Sequence, residues 1–320
     1  MGYGELLLEF GYECNNNCRF CYAEQHRWRK KKSSQQFKKD LEKARERCDS
    51  VVIVGGEPTI RRDIISIVRY AKQLGYKNIF FESNGRMFYY EEFVKKIHEA
   101  GLKQPVVSIH SHKKELHDWL TRAEGSFEQV VQGVKNLQKY FPEVHTNTVI
   151  TKQNYQDMPK IADFIINLGI KKADFLFMSP EGYGWKNFTR LAPKLTEIEP
   201  YVGPTIQKGI NSKRCLIKMR YLPLCYIGSY DAYLSELVDR VHLNKEHWGP
   251  GFEYEDATER RDKEAMVKLE KCKDCKYDNV CAGVWVGYAK VYGKAELKPI
   301  KGSKVTAREL LDKIPAFFYN

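Results

Sequence analysis

Apolar residues in the first 180 or so positions fall in short runs that alternate with stretches of helical spacing. Residues 5–10, 51–54, 78–82, 105–110, 147–151 and 173–178 read as strands. Between them, residues 36–48, 61–74, 91–100, 127–140 and 158–168 place apolar side chains at helical spacing. Such strict β/α alternation predicts a parallel sheet with helices against it. Right-handed crossovers then curl that sheet toward a partial (β/α)6 barrel, whose functional face lies at the C-terminal ends of the strands. From about Gly182 the alternation is expected to stop, and the segment to Asn320 carries aromatics with scattered Gly and Pro. The expected division is therefore an α/β barrel over 1–182 and a small irregular α+β domain over 183–320.

Composition narrows the functional classes. The chain has 320 residues, enough for one large domain or for a barrel with an accessory domain. Lys plus Arg number 53 against 41 Asp plus Glu, a net charge of +12 that suits an anionic partner such as nucleic acid, anionic lipid or an acidic peptide. The charge is dispersed. Its densest run, Arg27 to Lys32, reads most simply as a solvated loop or helix end. No secretory core opens the chain and no apolar stretch is long enough for a bilayer. Nine cysteines without a signal peptide point to metal ligation in a reducing compartment rather than to disulfides, so a cytoplasmic location is expected.

The cysteines carry the chemistry. Cys14, Cys18 and Cys21 stand in a Cys-x3-Cys-x2-Cys run on the loop after the first strand. A four-iron cube normally takes four cysteines, so three leave one iron open to a small molecule. Zinc is the alternative for any cysteine triplet. The second strand ends in Gly55-Gly56-Glu57-Pro58, where glycine lets backbone approach a ligand closely and Glu57 offers a carboxylate to an ammonium.

The triplet and the Gly-Gly-Glu-Pro segment together resemble the radical S-adenosylmethionine (SAM) superfamily. The resemblance implies a [4Fe–4S] cluster on Cys14, Cys18 and Cys21, with SAM chelating the open iron. It implies reductive cleavage to a 5′-deoxyadenosyl radical that abstracts hydrogen from a substrate, and a reductant such as ferredoxin or flavodoxin. Phe20, before the third cysteine, matches an aromatic that lies against adenine in that family, unless it is simply core; Tyr22 flanks the same ligand. Residues 55–58 match the segment that binds the SAM amino group. Ser83 and Asn84 resemble a Thr-Asn-Gly segment lining the SAM pocket, although Asn84-Gly85 also reads as a plain turn. Ser108 and Arg122 match positions that contact the SAM carboxylate in related enzymes.

Cys272, Cys275 and Cys281 form a second tight group, Cys-x2-Cys-x5-Cys. Structural zinc is again an alternative. The spacing is similar to the auxiliary-cluster domains called SPASM or twitch. Trp285 stands where the full SPASM pattern has a further cysteine, so one auxiliary [4Fe–4S] cluster fits better than two. Its fourth ligand is expected to be Cys225, in a proline-set extended turn, rather than Cys215. Cys48 is expected to end a helix as a small buried hydrophobe. His110, His112 and His117 lack the tight pairing of a metal site.

Substrate is less legible. Glu181, Tyr183 and Trp185 follow the sixth strand, as substrate contacts or as packing. Three functions compete. A peptide- or protein-modifying radical enzyme is favoured by the auxiliary group. Modification of tRNA or another nucleic acid is motivated by charge, without a recognisable RNA-binding module, and small molecules and lipids stay open. A non-catalytic iron–sulfur protein leaves the SAM-contacting set unexplained.

Overall fold

The computed structural model describes residues 4–242 and 245–318, and these form two compact units. The first comprises residues 4–109, 113–146 and 245–257. Its strands are β1 (Gly4–Glu9), β2 (Cys48–Val54), β3 (Asn78–Ser83), β4 (Gln104–Ser108), β8 (Lys245–Gly249) and β9 (Phe252–Tyr254). They are ordered β4-β3-β2-β1-β8-β9. All neighbours are parallel except the β8–β9 hairpin. The near-continuous apolar runs of β1 and β2 are what a parallel sheet covered by helices requires.

The helices of this unit are α1 (Ser34–Arg45), α2 (Ile64–Gln73), α3 (Glu91–Ala100), α4 (Lys114–Thr121) and α5 (Ser126–Leu137). α1 starts at a capping box in which Ser33 and Gln36 each bond the other's backbone N–H, and it buries Phe37, Leu41 and Ala44 along one stripe. α1 stops at Arg45, so Cys48 does not end it. Cys48 is instead the first residue of β2, fully buried as expected but facing Gly4 across the ladder. α4 was not anticipated, and it matters below.

The second unit comprises residues 110–112, 147–242 and 258–318. It holds β5 (His145–Ile150), α6 (Met158–Asn167), β6 (Lys172–Phe177) and β7 (Leu216–Arg220), with strand order β7-β6-β5. The alternation expected to end near Gly182 in fact runs one step further. A long helix, Leu195–Ser212, packs on α6 and delivers β7 parallel to β6. Pro200 and Pro204 inside that helix mask its pattern in the sequence. Beyond residue 257 only short elements occur, including an antiparallel pair of Met266–Val267 with Val284–Trp285. The class is α/β with a largely parallel sheet, followed by an irregular α+β tail. No helix of the described residues is long and apolar enough to cross a membrane.

Candidate functional site

The loop carrying Cys14, Cys18 and Cys21 is held from three sides. From β2, the Gly56 N–H donates to the Gly11 carbonyl at 2.8 Å and the Glu57 N–H to the Glu13 carbonyl at 2.8 Å. A Cβ on Gly56 would stand 2.1 Å from the Glu13 oxygen, and one on Gly55, whose φ is +135°, would stand 2.4 Å from the Gly11 oxygen. The two glycines were expected to admit a ligand. They admit the backbone that leads into Cys14, because only a residue without a Cβ lets two chains come this close. Gly56→Ala is therefore expected to displace the cysteine loop, lowering both thermal stability and bound iron. Wild-type iron content in that variant would refute the close-packing account.

Glu57 is fully buried. Its Oε1 accepts from the Thr59 N–H at 3.0 Å, from the Thr59 hydroxyl and from the Ser83 hydroxyl at 2.7 Å, while Oε2 accepts from the Asn84 N–H at 2.6 Å. Burial pushes this carboxyl up, and the bonds from Thr59, Asn84 and Ser83 pull against it. The carboxylate expected to meet an ammonium thus ties the ends of β2 and β3 together. Pro58 is buried behind it at the start of a short turn. Asn84 extends the tie: its side-chain amide donates to Asn15 Oδ1 at 2.6 Å and to Cys14 Sγ at 3.7 Å.

The second side is Arg86. Its guanidinium donates to the Asn15 carbonyl, to Asn16 Oδ1 at 3.0 Å and to Gln129 Oε1 at 2.6 Å. The third is the C-terminal end of α4, whose unsatisfied carbonyls take the loop's amides. Asn17 N–H donates to Thr121 O at 3.0 Å and Arg19 N–H to Leu120 O at 2.9 Å. Arg122 caps α4 in the left-handed region at φ 51°. Asp118 accepts from Gly125 N–H, Ser126 Oγ and Phe127 N–H, each at 2.8 Å, which fixes the turn into α5. Sequence reasoning missed Arg86, Asn15, Asn16 and Gln129. A signal was present, since Arg86 directly follows Ser83-Asn84-Gly85 and three asparagines separate Cys14 from Cys18.

The three thiols lie within electrostatic reach of one another. Burial, then the neighbouring Glu57 carboxylate, pushes Cys14 up to about 11, against bonds from the Asn16 N–H at 3.3 Å and from Asn84. Burial also raises Cys18 and Cys21, with the Arg27 guanidinium opposing it at both. Dry thiols that resist ionisation become ligands when a bound cation supplies the missing charge. Phe20 is buried beside Cys21, whereas Tyr22 is 40% exposed. Ser108 ends β4, half-buried.

In the second unit, Cys225, Cys272, Cys275 and Cys281 line one cavity together with Lys268 and Leu297. Ile300 N–H donates to Cys275 Sγ at 3.3 Å and Gly283 N–H to Cys281 Sγ at 3.4 Å. Burial lifts Cys225 to about 12, and the thiols of Cys281, Cys272 and Cys275 add to the rise. Cys215 stands apart. It is buried just before β7, with Lys171 as the charge that acts on it, and a strand length separates it from Cys225. Among the described residues no three His, Cys, Asp or Glu side chains converge on a point as ligands of a single ion do. Thiolates on separate irons of a cube stand farther apart than thiolates sharing one zinc at about 2.3 Å. Both groups supply the thiolates that an iron–sulfur cluster takes as ligands.

His110 accepts from the Val149 N–H at 3.3 Å, and His117 is buried against the Phe127 ring at 5.7 Å. Trp185 is 45% exposed, with its ring 6.0 Å from Phe188.

A family model described as Radical SAM superfamily matches residues 8–165. A probable GTP 3′,8-cyclase of Saccharolobus islandicus is 30% identical over 213 residues, covering 65% of this chain and 68% of that protein. The chain belongs to the radical SAM superfamily. It is accordingly an enzyme of the class that uses SAM and a [4Fe–4S] cluster. Among solved structures, SuiB of Streptococcus suis bound to S-adenosylmethionine shares the fold at 17% identity and a TM-score of 0.68, covering 96% of this chain and 77% of SuiB. The enzyme anSMEcpe with bound S-adenosylmethionine and the Cp18Cys peptide shares it at 15% identity and a TM-score of 0.64, covering 98% and 95%. The radical SAM match spans β1 to α6, the stretch in which the sequence pattern alternates most strictly.

Proposed function

We propose that this radical SAM enzyme modifies a peptide or protein, with its first cluster on Cys14, Cys18 and Cys21 and one auxiliary [4Fe–4S] cluster on Cys225, Cys272, Cys275 and Cys281. A [4Fe–4S] cluster held by Cys14, Cys18 and Cys21 would supply the electron for reductive SAM cleavage and so the radical chemistry directed at the substrate. The residues of the chain bind, orient and exclude water. Phe20 and Tyr22 flank the adenosyl moiety. The strand-end segments of Gly55, Gly56, Glu57 and Pro58, of Ser83 and Asn84, and of Ser108, with Arg122, wall the rest of the SAM pocket. Glu57 serves that wall from beneath, by fixing Ser83 and Asn84. Functionally the chain divides as 1–182 for SAM and 183–320 for the auxiliary group, in SPASM or twitch manner. Free thiols throughout suit a cytoplasmic, reducing setting.

The observation that carries the auxiliary reading is the single cavity shared by four thiols. A cube capped on every iron has no site for substrate and suits electron relay. A relay fits a reaction that must dispose of an electron, and the solved neighbours include SuiB with precursor peptide SuiA and anSMEcpe with the Cp18Cys peptide. A nucleotide substrate is the second reading, favoured by the 30% identity to a probable GTP 3′,8-cyclase and by the +12 charge. Anaerobic formation of 5′-deoxyadenosine, measured with peptide, RNA, lipid and nucleotide fractions, separates these. Stimulation by GTP or RNA and not by peptides would overturn the peptide reading.

The ligand assignment has its own test. Cys225→Ala is expected to lose the auxiliary cluster or free one of its irons, while Cys215→Ala changes little. Iron content with electron paramagnetic resonance of each single variant checks this, and the reverse pattern would reassign the ligand.

A further inference from the structure

The basic run after Cys21 was read from the sequence as a solvated loop. In the structure it is attached to the cysteine loop itself. Arg27 is exposed, yet its guanidinium donates to Asn17 Oδ1 at 2.9 Å, inside the cysteine loop, and its charge acts on the Cys21 thiol. One side chain therefore joins open surface to the loop that carries the first cysteine group. The next residue, Trp28, is 78% exposed, far more than any other large apolar side chain among the described residues. The segment does not hang loose. Arg29 donates to the Pro250 carbonyl at 3.0 Å in the β8–β9 hairpin, and the Lys32 N–H donates to the Phe10 carbonyl at 2.8 Å.

The charges around Trp28 do not cancel. Glu13 offsets Lys31 at 3.1 Å and Asp40 offsets Lys32 at 2.6 Å. Within residues 22–32 that leaves Arg27, Arg29 and Lys30 against the single carboxylate of Glu24. Arg29 lies over the Trp28 ring at 5.5 Å, and an exposed tryptophan flanked along the chain by Arg27, Arg29 and Lys30 has the composition of an interface centre with a charged rim. Its place decides the partner. A protein that delivers single electrons must bring its redox group close to the thiol-bound iron, and this patch follows Cys21 closely in the chain and is bonded to the cysteine loop through Arg27 and Asn17.

We propose that Trp28 and the cations around it form the docking surface for the electron donor, a small acidic one-electron carrier protein. The proposal rests on the assignment of a cluster to Cys14, Cys18 and Cys21. In the encounter the carrier's carboxylates face Arg29 and Lys30, its redox group lies over Trp28, and one electron passes inward past Arg27 to the oxidised cluster. The carrier is oxidised by one electron and the cluster reduced by one, with no bond made or broken. The positive guanidinium whose charge acts on the Cys21 thiol also favours the added negative charge.

The test uses the purified holoenzyme and its Trp28→Ala/Lys30→Glu double variant, neither position touching a cluster thiol. Flavodoxin is the probe, its affinity measured by titration calorimetry and its electron transfer by stopped-flow bleaching of the cluster. Photoreduced 5-deazariboflavin, a small neutral reductant, is the control. The double variant is expected to bind flavodoxin at least about ten-fold more weakly, with a shallower loss of affinity as salt rises. Its bleaching by flavodoxin hydroquinone slows in proportion, while bleaching by deazariboflavin and SAM binding stay as in the wild type. Unchanged flavodoxin affinity and salt dependence would overturn the proposal. So would a variant that keeps flavodoxin but loses an acidic peptide or tRNA, which would make the patch a substrate surface. A wild-type protein whose first cluster neither reductant bleaches would overturn the cluster assignment, and this proposal with it.

Discussion

Alanine at Cys14, Cys18 and Cys21 together is expected to cut bound iron from about eight to about four atoms per chain and to abolish formation of 5′-deoxyadenosine. The effect should be all-or-none, because a cube that has lost every protein ligand has nothing left to hold it. The auxiliary thiols belong to the other compact unit, so their cluster should survive and keep its own resonance signal. Iron analysis, Mössbauer spectroscopy and product chromatography read the three quantities. SAM cleavage surviving in the triple variant would remove the catalytic role from this motif, and stoichiometric zinc in place of iron would remove the cluster.

Glu57 gives the second large effect, and its direction differs from what the sequence suggested. A carboxylate kept only to greet the SAM ammonium would leave stability unchanged when replaced by glutamine. The structure makes it the acceptor for donors on Thr59, Ser83 and Asn84, in a fully buried position. Glutamine can supply one acceptor oxygen, but its amide then faces either the Asn84 N–H or the donors on Thr59 and Ser83. A buried donor left without an acceptor costs about 1–3 kcal/mol. Glu57→Gln is expected to lose about 2 kcal/mol of stability in denaturant titration, and Glu57→Ala about 3 kcal/mol or more. Because Asn84 holds Asn15 and Cys14, both variants should also load the first cluster incompletely. Weakened SAM binding with full stability and full iron would restore the simpler role.

Much of the core was legible because period is a local property. β1 and β3 to β6 appear within a residue or two of their expected bounds, β2 starts three residues earlier than expected, and α3 matches its expected bounds outright. The later elements were hidden for physical reasons. β7 follows a helix broken in the sequence by two prolines, and β8 is a short strand whose Lys245 and Glu246 mask its pattern. Cys48 was placed on a helix because the apolar spacing of α1 continues to it. The chain leaves the helix at Arg45 and turns into β2 instead.

The chemistry divides in the same way. Spacing alone marked six of the nine cysteines, since ligands on a short loop must be close in sequence to be close in space. The fourth thiol of the second group could only be narrowed to Cys225 or Cys215. Folding separates those two by the length of β7 and brings Cys225 to the cavity of Cys272, Cys275 and Cys281. For Gly55, Gly56 and Glu57 the sequence suggested contact with a ligand but not how each packs within the protein. That depends on which backbone lies 2.8 Å away and which hydroxyls meet a buried carboxylate, contacts between segments some 26–45 residues apart. Arg86, clasping Asn15 and Asn16 from 70 residues downstream, belongs wholly to this second kind. Local order set the elements and the ligand types. Long-range packing alone chose each side chain's partners, because hydrogen bonds are decided by position in space and not by distance along the chain.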